Sequence, residues 1–156
     1  YAHYLSKNNP IPLVMLDFGE EKLKSILDSI GKPEIRKHIH LTGYIINSDL
    51  PAIYNLCDVF LYPSLRESFG IPILEAMASG APVITSNTAS MPEVAGDAAY
   101  IVDPKKPESI SIGIYRLLTN QSLRDKNIEK GYKRAQEFSW NNTARQTLEI
   151  YNQLSK

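Results

Sequence analysis

Cysteine is nearly absent: Cys57 stands alone in 156 residues, which excludes an internal disulfide and a thiol-paired metal site. Its neighbours in "YNLCDVFLYP" (54–63) favour a small buried hydrophobe over a nucleophile. Net charge is absent too. Lys plus Arg and Asp plus Glu number 17 each, so no global field gathers nucleic acid or anionic lipid, and no nucleic-acid partner is expected. No apolar run approaches the roughly 18 residues of a membrane-spanning helix, and no secretory signal pattern is present. There is no G-x-G-x-x-G, no Walker lysine pattern, and no D-x-D pair to hold a divalent cation on a diphosphate. His3, His38 and His40 form no i, i+4 pair, and "HIH" reads as a strand start with one exposed and one half-buried ring. Ser64, Ser68 and Ser86 lack the context of a nucleophile elbow. No metal site is expected.

What is present is an alternation of strand and helix signals over one domain's length. Short apolar runs at 12–16, 39–43, 58–63, 82–85 and 99–103 read as strands. Between them, "EEKLKSILDSIG" (20–31) places Leu23, Ile26, Leu27 and Ile30 at helical spacing, with Gly31 as a stop. "NSDLPAIYNLC" (47–57) opens with capping residues and puts Leu50, Ile53, Tyr54 and Cys57 on one stripe. A third helix is expected from Phe69 to Ser79-Gly80. The tail changes character, with three successive helices at 107–120, 121–138 and 141–154. Continuous apolar strands alternating with helices imply a parallel sheet covered on both faces. The expected class is α/β, a Rossmann-like doubly wound parallel sheet with a helical C-terminal tail.

Ligands in such sheets bind beyond the carboxyl ends of the strands, and the segment "RESFGIPILEAMASGAPVIT" (66–85) lies there. It carries two unexpected carboxylates. Glu75 is surrounded in sequence by Ile71, Ile73, Leu74, Ala76, Met77 and Ala78, which predicts a buried helix. A buried carboxylate must be paired, protonated or turned to a ligand, so an Arg- or Lys-paired Glu75 and a ligand-facing Glu75 both stand. At the helix start, Ser68 can be an ordinary cap. Equally, free N–H groups and the helix dipole can hold an anion such as a diphosphate, with Gly70 allowing close approach. Carboxylates flanking an anion face neutral hydroxyl donors, because a phosphate would repel them. A sugar on one side and a ribose on the other is the outline of a sugar nucleotide.

The stretch "PSLRESFGIPILEAMASGAPVITSNTASMPEVAGDAAYIVDP" (63–104) closely resembles the donor-binding signature of glycosyltransferase family 4, the retaining enzymes of GT-B fold. Its hallmark is a Glu, seven residues and a second Glu, here Glu67 and Glu75. The resemblance continues through "LTGYI", "LPAIYNLCDVFLYPS" and "FSWNNTARQTLEIYNQL" and so covers nearly the whole chain. It implies that 1–156 is a nucleotide-sugar donor-binding domain of an enzyme that transfers a sugar with retained anomeric configuration. Glu67 would be the catalytic residue, accepting hydrogen bonds from the transferred sugar. The backbone at Ser68, Phe69, Gly70 and Ile71 would hold the sugar and distal phosphate. Glu75 would bind the ribose, and Gly43, Tyr44 and Ile45 would meet the base. "SNTASMPEVAG" (86–96) resembles the loop that helps close the family's site.

The resemblance also implies departures. The family's first strand of this domain, with its Gly-Arg…Lys cations that clamp the diphosphate, is expected before Tyr1, and "LDFGEE" keeps only Gly19 of the usual glycine-rich turn. The acceptor-binding domain is expected outside these residues. Alone, they should bind donor weakly and transfer nothing. A gap or exposed edge is expected beside 12–16 or 58–62, and with it self-association. The implied partners are a nucleotide-sugar donor and a glycan or lipid-linked acceptor, with no cofactor. The implied location is cytoplasmic, with peripheral association of the full-length protein at the cytoplasmic face of the membrane as one option. Epimerase- or phosphorylase-type enzymes and a non-catalytic sugar-nucleotide-binding module are the alternatives; the former lean on basic clusters, and only Arg66 stands near this site.

Overall fold

Residues 1–154 are the part that the computed structural model describes; strands alternate with helical segments as far as residue 102, and three helices follow. The order is α1 (Ala2–Leu5), β1 (Leu13–Met15), α2 (Glu20–Ser29), a 3-10 turn (Pro33–His38), β2 (Ile39–Leu41), α3 (Leu50–Leu56) and β3 (Phe60–Tyr62). It continues with α4 (Ile71–Ala78), β4 (Val83–Ser86), α5 (Met91–Ala95), β5 (Tyr100–Val102), α6 (Pro107–Thr119), α7 (Gln121–Gln136) and α8 (Trp140–Leu154).

Local chemistry accounts for the boundaries. Gly31, at φ +64°, follows the end of α2 in a backbone region that glycine enters without steric cost. Pro107 opens α6 where its missing N–H costs nothing. The Asn120 side chain accepts the Leu123 N–H at 3.0 Å and caps α7. The α2 stripe is half borne out: Leu23 and Leu27 are buried, whereas Ile26 and Ile30 are exposed. His38 is half-buried and His40 exposed, as the sequence predicts. Cys57 is half-buried, with its thiol pushed up to about 11 by burial and then by the Asp58 charge, which suits packing and not nucleophilic work.

All strand pairings are parallel. They form two sheets: β1 with β2, in the register Leu13–Ile39, and β3-β4-β5, in the registers Phe60–Val83 and Ile84–Tyr100. One edge of β1 and one edge of β3 therefore lack a strand neighbour among the described residues, in keeping with the gap expected beside 12–16 or 58–62. Strand β4 is buried at all four residues, as a central strand with both faces covered must be. One face of its sheet packs the core of Tyr54, Ile73, Ala76, Met77, Val83, Met91 and Val94. Ile84 and Val102 join Tyr4, Ile114 and Leu117 in a second core, and Leu23, Leu27, Ile35 and Ile39 form a third beside β1 and β2. Leu5 of α1 and Tyr1, which precedes that helix, pack against both the second and the third.

Two boundaries differ from expectation near the site. The helix expected from Phe69 begins at Ile71, and the stretch expected as a loop after β4 contains α5. A five-residue helix is too short for a periodic signal, and Pro92 in its first turn reads equally as loop punctuation.

Candidate functional site

The carboxyl end of β3 delivers Tyr62, and the chain then runs through Ser64, Glu67 and Gly70 into α4. Glu67 is half-buried. Its Oε1 accepts hydrogen bonds from Tyr62 Oη at 2.8 Å and from Ser64 Oγ at 3.1 Å. The segment is fixed from the opposite side by the loop after β4. Thr88 Oγ1 lies 3.2 Å from the Ser64 carbonyl and 3.1 Å from that of Leu65. Ser90 Oγ lies 3.1 Å from the Glu67 carbonyl and 2.8 Å from that of Phe69. These bonds tie the loop after β4 to the approach to α4.

Gly70, not Ser68, caps α4. Ser68 is exposed and makes no capping bond, because the helix begins two residues later than the apolar pattern implies. Gly70 sits at φ +101°, and a Cβ there would lie 3.1 Å from Ile73 Cδ1. Backbone strain and the crowded Ile73 side chain act together, so Gly70→Ala should destabilise the domain by about 1–3 kcal/mol. Thermal denaturation of the two proteins measures it, and an unchanged melting temperature would refute the strained geometry.

Phe69 is held by the segment that follows α7. Its ring meets Phe138 edge-on at 5.9 Å, and the Arg134 guanidinium covers Phe138 at 4.7 Å. Arg134 also donates to the Val94 carbonyl at 3.0 Å and the Glu93 carbonyl at 2.6 Å. Helices α5 and α7, with Phe138 just past the end of α7, thus brace the approach to α4.

Glu75 requires a correction. The sequence predicts a buried carboxylate, yet Glu75 is exposed. Helix α4 buries only Ile73, Ala76 and Met77; Leu74 is half-buried, and Ile71 and Ala78 are exposed. The apolar run around Glu75 therefore does not mean that every side of the helix is covered. Glu75 Oε2 accepts from Tyr54 Oη at 3.2 Å. Among the described residues neither Glu67 nor Glu75 forms a salt bridge, so the Arg- or Lys-paired reading of Glu75 falls.

The tyrosines respond to their acceptors. Burial first, and then the Glu75 charge and hydrogen bond, push the Tyr54 phenol up to about 12. Burial and then the hydrogen bond to Glu67 raise Tyr62. Both hydroxyls therefore remain protonated donors at neutral pH.

The second group of expected residues stands at the end of the other sheet. Gly43 (φ +68°) follows β2, and its carbonyl accepts the Asp17 N–H at 2.9 Å and the Thr42 hydroxyl at 2.9 Å. This bond ties the loops after β1 and β2 together. Tyr44 beyond it is 75 % exposed, a ring presented to solvent, and Ile45 is half-buried. No hydrogen bond among the described residues joins this loop to the β3–α4 unit. The structure thus assembles Glu67, Ser68, Phe69, Gly70, Ile71 and Glu75 on one unit and leaves Gly43–Ile45 on another. Sequence reading missed Tyr54, Tyr62, Ser64, Thr88 and Ser90. Tyr54 was visible only as part of the α3 stripe, and Tyr62 only as a strand end. Among the described residues, no three His, Cys, Asp or Glu side chains converge as a metal site requires.

Residues 1–134 match the family model described as Glycosyl transferases group 1. The chain belongs to this family. Among curated relatives of the group 1 family, the Escherichia coli O-antigen chain mannosyltransferase B is 43 % identical over 113 residues, covering 72 % of this chain and 30 % of that protein. Two solved structures share the fold. Sucrose-phosphate synthase from Thermosynechococcus elongatus superposes with a TM-score of 0.83 at 22 % identity, over 97 % of this chain and 40 % of its own. Anabaena HepE in complex with UDP-glucose gives 0.82 at 19 %, over 97 % of this chain and 43 % of its own. The group 1 chain described here thus spans under a third of the curated relative it matches. Among the described residues no helix is long and apolar enough to cross a membrane.

Proposed function

We propose that this chain is the donor-binding part of a retaining glycosyltransferase that moves a sugar from a nucleoside-diphosphate sugar to a glycan or a lipid-linked saccharide. The observation that carries the reading is the state of the two carboxylates. Each has one oxygen engaged by a tyrosine hydroxyl, neither has a cation among the described residues, and Glu67 precedes α4 while Glu75 lies within it. An ionised carboxylate with an unengaged oxygen is an acceptor for paired hydroxyls. The mannosyltransferase name of a relative and the UDP-glucose bound to a structural neighbour support a nucleotide sugar as the ligand.

In this reading Glu67 accepts hydrogen bonds from the transferred sugar, and Glu75 from the ribose. Backbone donors at Ser68, Phe69, Gly70 and Ile71, with the positive end of the α4 dipole, hold the distal phosphate. Pro72 in the first turn of α4 supplies no N–H, so the donors come from the residues before it. The exposed Tyr44 ring stacks on the base. As the bond to the anomeric carbon breaks, negative charge grows on the leaving diphosphate, and preorganised donors stabilise it without a metal ion. The acceptor is held by a part of the enzyme outside these residues, and the reaction takes place in the cytoplasm or at the cytoplasmic face of the membrane.

Titration of the intact enzyme with UDP-, GDP- and ADP-sugars by calorimetry tests this. One nucleotide series should bind saturably, and Glu75→Ala should weaken it about tenfold through loss of a charge-assisted contact. Unchanged nucleotide affinity in Glu75→Ala would remove the ribose role. No saturable binding to any of the three series would remove the donor site.

A further inference from the structure

Three aromatic rings connect the two glutamates. Tyr54 of α3 meets Phe60 edge-on, with centroids 5.0 Å apart at 82°. Phe60 stacks on Tyr62, two residues along β3 on the same face, at 5.8 Å and 17°. The two ends of this ladder carry the hydroxyls that reach Glu75 and Glu67. We infer that Tyr54 and Tyr62 are positioning residues: each fixes the rotation of one carboxylate before donor arrives and so selects which oxygen faces the ligand.

The selection at Glu67 is by occupancy. A carboxylate oxygen has two in-plane lone pairs, and Oε1 receives two donors, Tyr62 Oη and Ser64 Oγ. That oxygen is filled, and Oε2 is the one left for a sugar hydroxyl. At Glu75 the single donor from Tyr54 lies on Oε2, which leaves Oε1. Both glutamates carry side chains that sweep several rotamers when unheld, and ordering such a side chain on binding carries an entropic cost. Here the ordering is done by a scaffold. Tyr54 is itself 6 % exposed within the core beside α4, so its hydroxyl position is set by packing and not by solvent. The ladder also gives the two subsites a common support: any movement of Phe60 is felt at both.

The inference rests on the donor-site reading of Glu67 and Glu75, and the variants separate the two. Phe in place of either Tyr keeps the ring and the ladder and removes only the hydroxyl. In the intact enzyme, Tyr62→Phe should lower kcat about threefold to tenfold with the smaller effect on donor KM. Tyr54→Phe should raise donor KM and the Kd of the free nucleoside diphosphate by a similar factor, about the effect of one ordered side chain. The double variant Tyr62→Phe/Glu67→Ala should be no worse than Glu67→Ala alone, since a positioning residue has no effect once its target is gone.

Effects within twofold for both Tyr variants, alongside impaired Glu67→Ala and Glu75→Ala, would overturn the positioning roles and leave the donor site standing. Silent Glu variants would overturn the donor site and the inference together. Equal losses of kcat, affinity and melting temperature in both Tyr variants, additive with the Glu changes, would show a merely structural role and also overturn it.

Discussion

Glu67→Ala in the intact enzyme should lower kcat by about 10- to 100-fold while leaving nucleotide affinity close to that of the parent. The substitution removes the free Oε2, and with it a charge-assisted hydrogen bond worth roughly 1.5–3 kcal/mol, or about one to two powers of ten in rate if it acts in the transition state. The division between kcat and KM is the informative part. An interaction made equally with bound donor and transition state would change KM, whereas one that strengthens as the sugar flattens toward an oxocarbenium ion changes kcat. Glu67→Gln is the useful companion. It keeps an oxygen acceptor for Tyr62 and Ser64 and loses only the charge, so it should fall between parent and alanine. Steady-state kinetics with released nucleoside diphosphate as the readout decides the matter, and an unchanged kcat in Glu67→Ala would refute the assignment to the reacting sugar.

Ile73→Ala should be the most damaging change to stability near the site, at about 2–5 kcal/mol. Ile73 is fully buried in the core with Ala76, Met77, Val83 and Met91. Three carbons would be lost from a helix held at one end by a strained glycine. Neighbours cannot close the hole freely, because Gly70 lies directly above the missing Cδ1 and its backbone must keep its shape for α4 to begin there. A domain of this size loses roughly 2–4 °C of melting temperature per kcal/mol, so a fall of about 4–20 °C is expected. Chemical denaturation gives the free energy directly. A loss below about 1 kcal/mol would mean that the core collapses around the alanine and that Gly70 is not supported from beneath.

The two substitutions mark the limits of what the sequence made legible. Parallel strands and their helices were readable because apolar runs such as "PVIT" and the α6 start at Pro107 are local signals. Glu67 and Glu75 were readable because a carboxylate in an apolar setting stands out. The burial that this setting implies for Glu75 is nevertheless incorrect: composition in one dimension cannot show that α4 buries a single face and leaves the carboxylate in the open. Nor could spacing reveal that Tyr54, from the helix before β3, reaches α4 across 21 residues. Ser90 and Thr88 were hidden for a related cause, since hydroxyls that clasp backbone carbonyls have no periodicity. The division into two sheets follows from hydrogen bonds that no strand among the described residues makes, and an expected edge is all that sequence could supply.

The sharing of Tyr1 and Leu5 between two cores bears on how the molecule opens. Strands β1 and β2 with α2 rest on a core of only four buried residues, Leu23, Leu27, Ile35 and Ile39, while β4 lies sealed between helices on both sides. Cooperativity between such units travels through whatever side chains they hold in common, and here a four-residue helix and the tyrosine that precedes it supply one each. The half that carries the Gly43–Ile45 loop can therefore unfold locally at a lower free energy than the half that carries the glutamates. In a hydrogen-exchange measurement, amide protons in 13–41 should then exchange through that partial opening, and those of β4 only through global unfolding.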